Sequence, residues 1–281
     1  MSMFKFQKIA VVSRTDKEKN IELSKKIVKL LQEKYSLDVY LNEPFSKVMN
    51  YPRSFSMKKL KDFDLVIAFG GDGTILWTAR HAHEVPIFGI NAGYLGFLTT
   101  ATLENSEAGI ERIMKGDFVV ERCMRLKSFL DNKELPTALN EIYTTNEQNA
   151  KICALNIHVD GYNLGCHRLD GLLVSTPVGS TAYALSAGGS IIEPKIKAMQ
   201  IVPVNSVMRR IRPFVVPGSS KITITLPEDN DKDVVAVIDG DKGRKFEHDS
   251  ILEITKAENE TIFLRFPDHG FFNRLQDKLG F

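Results

Sequence analysis

Cysteine and long apolar runs are scarce in this chain of 281 residues. The three cysteines, Cys123, Cys153 and Cys166, fit neither a CxxC redox pair nor a zinc ribbon, and their odd number argues against a complete disulfide framework. We therefore expect reduced thiols. No stretch approaches the roughly 18 apolar residues of a membrane span, and residues 1–7 carry no signal-peptide pattern. These absences predict a cytoplasmic protein with no membrane partner.

An excess of charge of one sign is also missing. The chain has 37 basic and 35 acidic side chains, which gives a formal net charge of +2. A dedicated nucleic-acid-binding protein usually carries a clustered basic excess, so we expect no nucleic-acid partner. The balance is compatible with an anionic ligand, because one local pocket of basic side chains or backbone N–H groups is enough to bind it.

Short apolar runs alternate with helical spacing over the first hundred residues, which predicts a sheet with intervening helices. The predicted strands are Lys8–Val12, Leu37–Leu41, Phe63–Phe69 and Pro86–Ile90, the predicted helices are Asp16–Tyr35 and Thr74–Ala82, and Asn42–Lys59 is predicted to be a loop. The continuously apolar run from Phe63 to Phe69 is typical of a parallel strand that is covered on both faces. Residues 1–117 are therefore predicted to form an N-terminal doubly wound α/β domain.

After Asp117 the pattern changes to short alternating runs that are broken by turn residues. Five such runs are Ile152–Val159, Lys221–Leu226, Val234–Ile238, Ile251–Thr255 and Thr261–Phe266. The pair Asp160-Gly161 between two runs predicts a hairpin. Residues 118–266 are therefore predicted to form a C-terminal all-β, sandwich-like domain of two layers. The tail from Gly270 is predicted to be a helix, and it returns residues 267–281 to the first domain.

The segment Gly70-Gly71-Asp72-Gly73-Thr74 follows the predicted buried strand and opens a helix. Ligands of an open α/β sheet bind beyond the carboxyl ends of its strands, and a helix N-terminus there offers N–H groups to phosphate. A carboxylate in such a loop would hold Mg²⁺ or accept a proton from a hydroxyl nucleophile, and both roles belong to phosphoryl transfer to an alcohol. The alternative is a tight turn in which Asp72 caps the helix. A second Gly-rich segment, residues 89–98, would line the same crevice or form an ordinary turn.

Three polar islands interrupt the apolar runs of the predicted β domain: Asn140-Glu141, Arg168 to Gly171, and Thr176 to Ser186. An Asn–Glu pair suits a base edge and a sugar diol, or it is a strand-end pair in solvent. In the third island, small residues allow close backbone contact and the ring of Tyr183 can stack on a flat ligand. The alternative there is a Gly-rich turn before a helix. The island lacks the lysine of a Walker loop and the GxSxG elbow of a hydrolase.

The ordered set GGDGT (70–74), GINAGYLGFL (89–98), NE (140–141), DG (170–171) and TPVGSTAY (176–183) resembles the NAD kinase family. The likeness runs from about Phe63 to the tail and covers most of the chain. GGDGT alone also resembles loops of diacylglycerol kinases, sphingosine kinases and phosphofructokinases, whereas NE and GSTAY in this order make the likeness specific. The fold that the resemblance implies, an α/β domain plus a β-sandwich, agrees with the pattern described above.

The resemblance implies a phosphotransferase that phosphorylates the 2′-hydroxyl of the adenosine ribose of NAD to give NADP. ATP or polyphosphate would be the phosphate donor, and Mg²⁺ or another divalent metal would be bound with that donor. Asp72 would bind and deprotonate the 2′-hydroxyl, with Gly73 beside it. Asn140 and Glu141 would hold adenine and ribose groups of the dinucleotide. The resemblance also implies a homodimer or homotetramer in which neighbouring subunits help to build the site.

Other site residues that the resemblance implies lie on the second and third islands and beyond them. Arg168 and Asp170 would contribute ligand or cross-subunit contacts, and Tyr183 would pack against the ligand. The remaining implied substrate-binding residues are Val178, Thr181, Ala182, Ala184, Leu185, Ser186 and Asn205.

Two positions depart from the family pattern. Many relatives carry a basic residue five positions after the GGDGT aspartate, where this chain has Trp77; Arg80 or another group would then hold the donor. Asp241 stands where many relatives have the Gln of a DGQ-like motif, which puts that contact in question. Two other functions stay open: a lipid kinase of the diacylglycerol or sphingosine type, and a dinucleotide sensor without catalysis.

Overall fold

The computed structural model describes residues 6–13, 18–91, 96–148, 151–207, 211–230 and 232–280. It divides the chain into two compact units. The first, here called the α/β unit, comprises the residues up to Arg122 together with those from Thr261 onward; the second, here called the β unit, is Cys123–Glu260. Over the described ranges, no helix combines the length and the apolar character that crossing a bilayer requires. The three cysteines are free thiols.

Among its described residues, the α/β unit begins with seven strands, four α-helices and one 3-10 helix. In chain order they are β1 (Lys8–Ser13), α1 (Glu18–Glu33), β2 (Asp38–Asn42), α2 (Glu43–Met49), β3 (Ser54–Phe55), the 3-10 helix (Met57–Asp62), β4 (Leu65–Phe69), α3 (Asp72–Ala82), β5 (Ile87–Asn91), β6 (Ala101–Thr102), α4 (Ser106–Met114) and β7 (Val119–Cys123). The two predicted helices and four predicted strands are all present. Asp16 and Lys17 of the first predicted helix lie outside the described residues.

The sheet of the α/β unit runs in the order β3-β2-β1-β4-β5, and each of these pairs is parallel. Every residue of β4 is buried, because helices cover both faces of a doubly wound sheet. Phe69, at the carboxyl end of β4, pairs with Ile90 near the end of β5. The loops that follow these two strands therefore leave the sheet side by side. The predicted doubly wound α/β fold is confirmed.

The prediction of a loop over Asn42–Lys59 is wrong. The segment contains α2, β3 and the start of the 3-10 helix. Pro44, which suggested a loop, lies in the first turn of α2, where a proline lacks no hydrogen bond and its fixed φ suits a helix. Phe45 of the same helix is fully buried in the hydrophobic core of the unit.

In the part of the β unit that the structure describes there are twelve strands, one short α-helix and one 3-10 helix. In chain order they are β8 (Leu126–Leu130), β9 (Lys133–Glu134), β10 (Glu141–Asn146), β11 (Cys153–Val159), β12 (Tyr162–Leu169), β13 (Gly171–Ser175), the 3-10 helix (Gly179–Thr181), α5 (Tyr183–Ser186), β14 (Ala198–Val204), β15 (Phe214–Pro217), β16 (Ile222–Thr225), β17 (Val234–Ile238), β18 (Arg244–Lys245) and β19 (Ile251–Lys256).

These strands form two antiparallel sheets, ordered β15-β14-β13-β10-β17-β18 and β12-β11-β16-β19-β8-β9. One hydrophobic cluster draws Ile142 and Val174 from the first sheet and Leu155 and Leu252 from the second. The two sheets thus enclose a common core, as predicted for a sandwich. The predicted hairpin at Asp160-Gly161 joins β11 to β12, and both turn residues have positive φ, at 50° and 83°.

The chain returns to the α/β unit through β20 (Thr261–Arg265) and α6 (Phe271–Leu279). Phe263 of β20 pairs in parallel with Ile87 of β5, and β7 lies on the other side of β20. The predicted domain limits, Asp117 and Phe266, therefore differ from the structure at both ends, because β7 and β20 extend the first sheet. The predicted return of the C-terminal helix is confirmed.

Candidate active site

Asp72 is the first residue of α3 and follows Phe69, the last residue of β4, after a short turn formed by Gly70 and Gly71. Gly71 occupies the N-cap position of α3, so Asp72 does not cap the helix and the alternative interpretation of a capping aspartate is wrong. The backbone N–H of Phe97 donates to Oδ2 of Asp72 at 2.9 Å, and the N–H of Leu98 donates to Oδ1 at 3.0 Å. Two hydrogen bonds from a neighbouring loop thus fix the orientation of the carboxylate.

Two glycines make this arrangement sterically possible. A Cβ on Gly96 would lie 2.0 Å from Oδ1 of Asp72, which no side chain could tolerate without displacing the carboxylate. Gly70 has φ +153°, and a Cβ there would lie 2.4 Å from the hydroxyl oxygen of Thr74. The structure therefore brings together the two predicted Gly-rich segments after β4 and β5. Within the second segment, residues 92–95 lie outside the described residues.

In the β unit, the predicted pair Asn140-Glu141 stands at the start of β10. The carboxylate of Asp239 accepts three backbone hydrogen bonds there: from Leu139 at 2.8 Å, from Asn140 at 2.8 Å and from Glu141 at 3.0 Å. The N–H of Asp239 in turn donates to the carbonyl oxygen of Glu141 at 3.0 Å. The backbone of the pair is therefore held by one buried carboxylate, from the turn that follows β17.

Glu141 is 91% buried, and its Oε2 forms no hydrogen bond with any described residue. Burial, reinforced by the negative charge of Asp239, raises the pKa of the Glu141 carboxyl to about 8. At neutral pH this side chain is therefore mostly an uncharged acid that can donate one hydrogen bond and accept others. It is not the solvated strand-end residue of the alternative interpretation.

The third predicted island packs directly on this pair. The N–H of Thr176 donates to the carbonyl oxygen of Asn140 at 2.9 Å, and the Thr176 hydroxyl donates to the carbonyl of Leu139 at 2.6 Å. A Cβ on Gly179 would lie 2.1 Å from the carbonyl oxygen of Asn140. The glycine of the GSTAY segment is thus required by the close approach of two backbones.

A cavity of about 290 Å³ in the β unit joins the second and third islands. Its lining includes Tyr143, Asp170, Tyr183 and Asn205, and the amide of Asn205 donates to a carboxylate oxygen of Asp170 at 2.8 Å. The rings of Tyr143 and Tyr183 meet edge to face, with centroids 5.3 Å apart. The side chain of Tyr183 is 42% exposed, so part of it remains accessible to solvent. Three residues singled out from the sequence thus share one cavity, and Lys151 adds a cation to it that the sequence did not suggest.

The other predicted residues of the β unit differ in accessibility. Val178 is buried, and Ala184 belongs to a small core cluster with Leu173 and Val202, so its side chain serves packing. Thr181, Ala182 and Leu185 are half-buried, and Ser186 is exposed. Arg168 is exposed on β12, the edge strand of its sheet.

In the α/β unit, Gly73 lies in the first turn of α3 with open space around it. Trp77, the departure from the family pattern, projects from the partly exposed side of the same helix, and its ring meets that of His81 at 5.6 Å. Among the residues that the structure describes, no three His, Cys, Asp or Glu side chains are grouped so as to hold a metal ion.

Two family sequence models match the chain. The one described as ATP-NAD kinase N-terminal domain matches residues 9–118, and the one described as ATP-NAD kinase C-terminal domain matches residues 139–266. The chain belongs to the NAD kinase family. Membership of this family makes it a kinase, as the motifs predicted.

Curated NAD kinases resemble the chain over nearly its whole length. The NAD kinase of Methanosphaera stadtmanae is 36% identical over 275 residues, which cover 97% of this chain and 98% of that protein. A solved structure of an NAD kinase from Archaeoglobus fulgidus in complex with ATP superimposes with a TM-score of 0.78 at 29% identity, and the match covers 96% of this chain and 99% of the other. Yeast NADH kinase complexed with NADH gives a TM-score of 0.90 at 22% identity, covering 99% of this chain and 89% of that one, and supports the fold alone.

Proposed function

We propose that the protein transfers the terminal phosphoryl group of ATP to the 2′-hydroxyl of the adenosine ribose of NAD, giving NADP and ADP. The observation that carries this proposal is the carboxylate of Asp72, which two backbone N–H groups hold at the start of α3. Each of its oxygens keeps a lone pair for a ligand, because each accepts only one of these two hydrogen bonds. A fixed, hydrogen-bonded carboxylate beyond the carboxyl end of a strand suits a general base.

In the proposed reaction, Asp72 accepts the proton of the 2′-hydroxyl. The 2′-oxygen forms a bond to the terminal phosphorus, the bond from that phosphorus to its bridging oxygen breaks, and ADP leaves with the electron pair. A divalent metal bound to the triphosphate of the donor would neutralise part of its charge. Much of the rate acceleration would come from holding the two substrates in line.

Recognition of the dinucleotide is assigned to the β unit. The amide of Asn140 and the uncharged carboxyl of Glu141 would bind adenine or ribose groups, and Asp170 and Asn205 would bind further polar groups of the dinucleotide. The ring of Tyr183 would pack on a base. The surrounding polypeptide would complete the wall of the base-binding subsite beside Tyr183. Its residues are Val178, Thr181, Ala182, Ala184, Leu185 and Ser186.

The choice of ATP as donor is supported by the Archaeoglobus fulgidus NAD kinase, which binds ATP. Polyphosphate remains the alternative donor that the motifs allow. We also propose a homodimer or homotetramer, in which the exposed Arg168 of β12 would contact a neighbouring subunit. Sedimentation of the protein as a monomer at micromolar concentration would contradict this assembly.

The direct test combines purified protein, Mg²⁺ and NAD with ATP in one tube and with polyphosphate in another. NADP is then detected with a dehydrogenase that accepts NADP but not NAD, which also establishes the 2′ position of the new phosphate. We expect NADP with ATP, and a parallel tube with NADH measures the preference for the reduced acceptor. Folded protein that binds NAD but makes no NADP from either donor would instead be a dinucleotide sensor. Membership of the NAD kinase family argues against the alternative of a lipid kinase. Incubation with ATP and liposomes that contain diacylglycerol tests that alternative, because a lipid kinase would phosphorylate the lipid.

A further inference from the structure

Arg265, the last residue of β20, reaches the loop that holds Asp72. Its Nη1 donates to the carbonyl oxygens of Leu98 and Thr99, each at 3.0 Å, and to the hydroxyl of Thr100 at 3.2 Å. Its Nη2 donates to the carbonyl oxygen of Phe97 at 3.2 Å. The side chain is only 4% exposed, so water competes little with these bonds.

One peptide unit connects Arg265 directly to Asp72. The carbonyl of Phe97 and the N–H of Leu98 belong to the same planar peptide group. The carbonyl end accepts a hydrogen bond from Arg265, and the N–H end donates to Oδ1 of Asp72 at 3.0 Å. A cation on the carbonyl oxygen polarises the peptide and strengthens the hydrogen bond that its N–H donates. The guanidinium therefore fixes both the plane of this peptide and the strength of its bond to the carboxylate.

The guanidinium of Arg265 is itself held in place by the carboxylate of Glu121, which it shares with Arg274. Nε of Arg265 donates to Oε1 of Glu121 at 2.9 Å, and Nη2 of Arg274 on α6 donates to Oε2 of the same carboxylate at 2.8 Å. Burial alone would raise the pKa of Glu121, but the two guanidinium groups outweigh it and lower the pKa below its ordinary value. Glu121 is therefore ionised at neutral pH and orients Arg265 toward the loop.

We propose that Arg265 is a positioning residue for Asp72, acting through the peptide between Phe97 and Leu98. This inference rests on the proposed role of Asp72 as the base. Arg265 touches neither substrate in this account; it sets the orientation of the carboxylate that accepts the proton. Its loss should therefore lower kcat while leaving substrate affinity nearly unchanged.

The first variant is Arg265→Lys, which keeps a positive charge beside Glu121. A lysine ammonium cannot span four acceptors with the fixed fork of a guanidinium. We expect kcat to fall roughly 10- to 100-fold, the scale of a small misplacement of a reacting group, with KM for NAD and for ATP within about twofold. The matched control is Arg112→Lys, because Arg112 of the same unit binds Asp117 and Asp268 and donates to none of the carbonyls of residues 97–99. This control should keep the native kcat.

A double-mutant cycle with Asp72→Asn separates positioning from a general structural role. If Arg265 acts through Asp72, Arg265→Lys should cause little further loss of kcat once Asp72 is Asn. Should Arg265→Lys not fold, Glu121→Gln, which removes the anchor of the guanidinium, is carried through the same cycle. Native kcat in the variant, a comparable loss in Arg112→Lys, or full additivity with Asp72→Asn would each overturn the inference. Failure of the proposed function is recognised separately, since the native protein would then make no NADP or Asp72→Asn would retain full turnover.

Discussion

The carboxylate of Asp239 accepts a hydrogen bond from the backbone N–H of Glu141 at 3.0 Å, and its charge adds to the effect of burial, which raises the pKa of the Glu141 carboxyl to about 8. The same carboxylate that positions the backbone of Glu141 thus helps to keep its side chain uncharged. A protonated acid at the start of β10 provides a hydrogen-bond donor that an ionised glutamate would lack.

The first prediction concerns the pH dependence of stability. The pKa of Glu141 is about 8 in the folded protein against 4.5 for the exposed group, so the folded state holds a proton that the unfolded state loses between these values. The contribution of Glu141 to the free energy of unfolding is therefore fully present below pH ~4.5. It falls as pH rises to about 8, by at most about 1.4 kcal/mol per pH unit.

Glu141→Gln mimics the protonated acid and should become progressively more stable than the native protein over that range. Urea unfolding of both proteins at pH 5, 6, 7 and 8 measures the difference, and a difference independent of pH would contradict the assignment.

The second prediction is that Asp239→Asn destabilises the β unit by roughly 1–3 kcal/mol, because one amide oxygen cannot replace a carboxylate that accepts three N–H groups. Asp160→Asn is the matched control. Asp160 also has positive φ before a glycine, but among the described residues its carboxylate accepts one backbone hydrogen bond, from Lys221, which asparagine can keep. We expect that control to change the free energy of unfolding by less than about 0.5 kcal/mol. An equal decrease in the free energy of unfolding of the two variants would show that the three hydrogen bonds to Asp239 stabilise the β unit no more than the single bond to Asp160 does.

The third prediction concerns the close approach of Gly96 to Asp72. A methyl group at Gly96 would overlap the carboxylate, so Gly96→Ala should displace Asp72 and lower kcat by at least about 10-fold. Gly270→Ala serves as the control, since the nearest atom to a Cβ there is 3.8 Å away. Steady-state rates of NADP formation decide the matter. Native turnover in Gly96→Ala would mean that the position of the carboxylate does not limit the reaction.

The fourth prediction is that Tyr183→Ala weakens dinucleotide binding more than it slows the reaction of bound substrate. Loss of a stacked ring costs roughly 1–3 kcal/mol, which corresponds to a rise in Kd of about 5- to 150-fold. Tyr162→Ala, at an exposed position on β12, should leave the affinity unchanged. Calorimetric titration with NAD compares the three proteins, and an unaltered Kd for Tyr183→Ala would contradict the role of the ring.

Local patterns in the sequence were sufficient to predict several parts of the structure. The apolar run from Phe63 to Phe69 marked the central strand β4, and the GGDGT segment after it located Asp72. The pair Asn140-Glu141 stood out because two polar residues interrupt an apolar run of the sequence, and the structure places them at the start of β10. In each of these cases the information lies within a few consecutive residues.

Other parts depend on contacts that are distant in the sequence. The bonds of Arg265 to Leu98 and of Asp239 to Leu139 join residues 167 and 100 positions apart, and no local pattern marks either residue as a partner. The run beginning at Thr261 resembles the alternating strands that precede it, and only its pairing with β5 assigns it to the first sheet. A proline normally suggests a loop, yet Pro44 lies where a helix accepts it.

Turnover of Asp72→Asn under saturating NAD and ATP tests whether Asp72 is the base that accepts the proton of the 2′-hydroxyl. Asp64→Asn is the matched control, because the Asp64 carboxylate also accepts two backbone N–H groups in the α/β unit, from Gln7 at 2.9 Å and Lys8 at 2.7 Å. We expect Asp72→Asn to bind NAD with nearly native affinity but to lose turnover by ~10²–10⁴, the usual scale for a general base. The turnover of Asp64→Asn should stay near native. Near-native turnover in Asp72→Asn, or an equal loss in both variants, would contradict the role of Asp72 as the base.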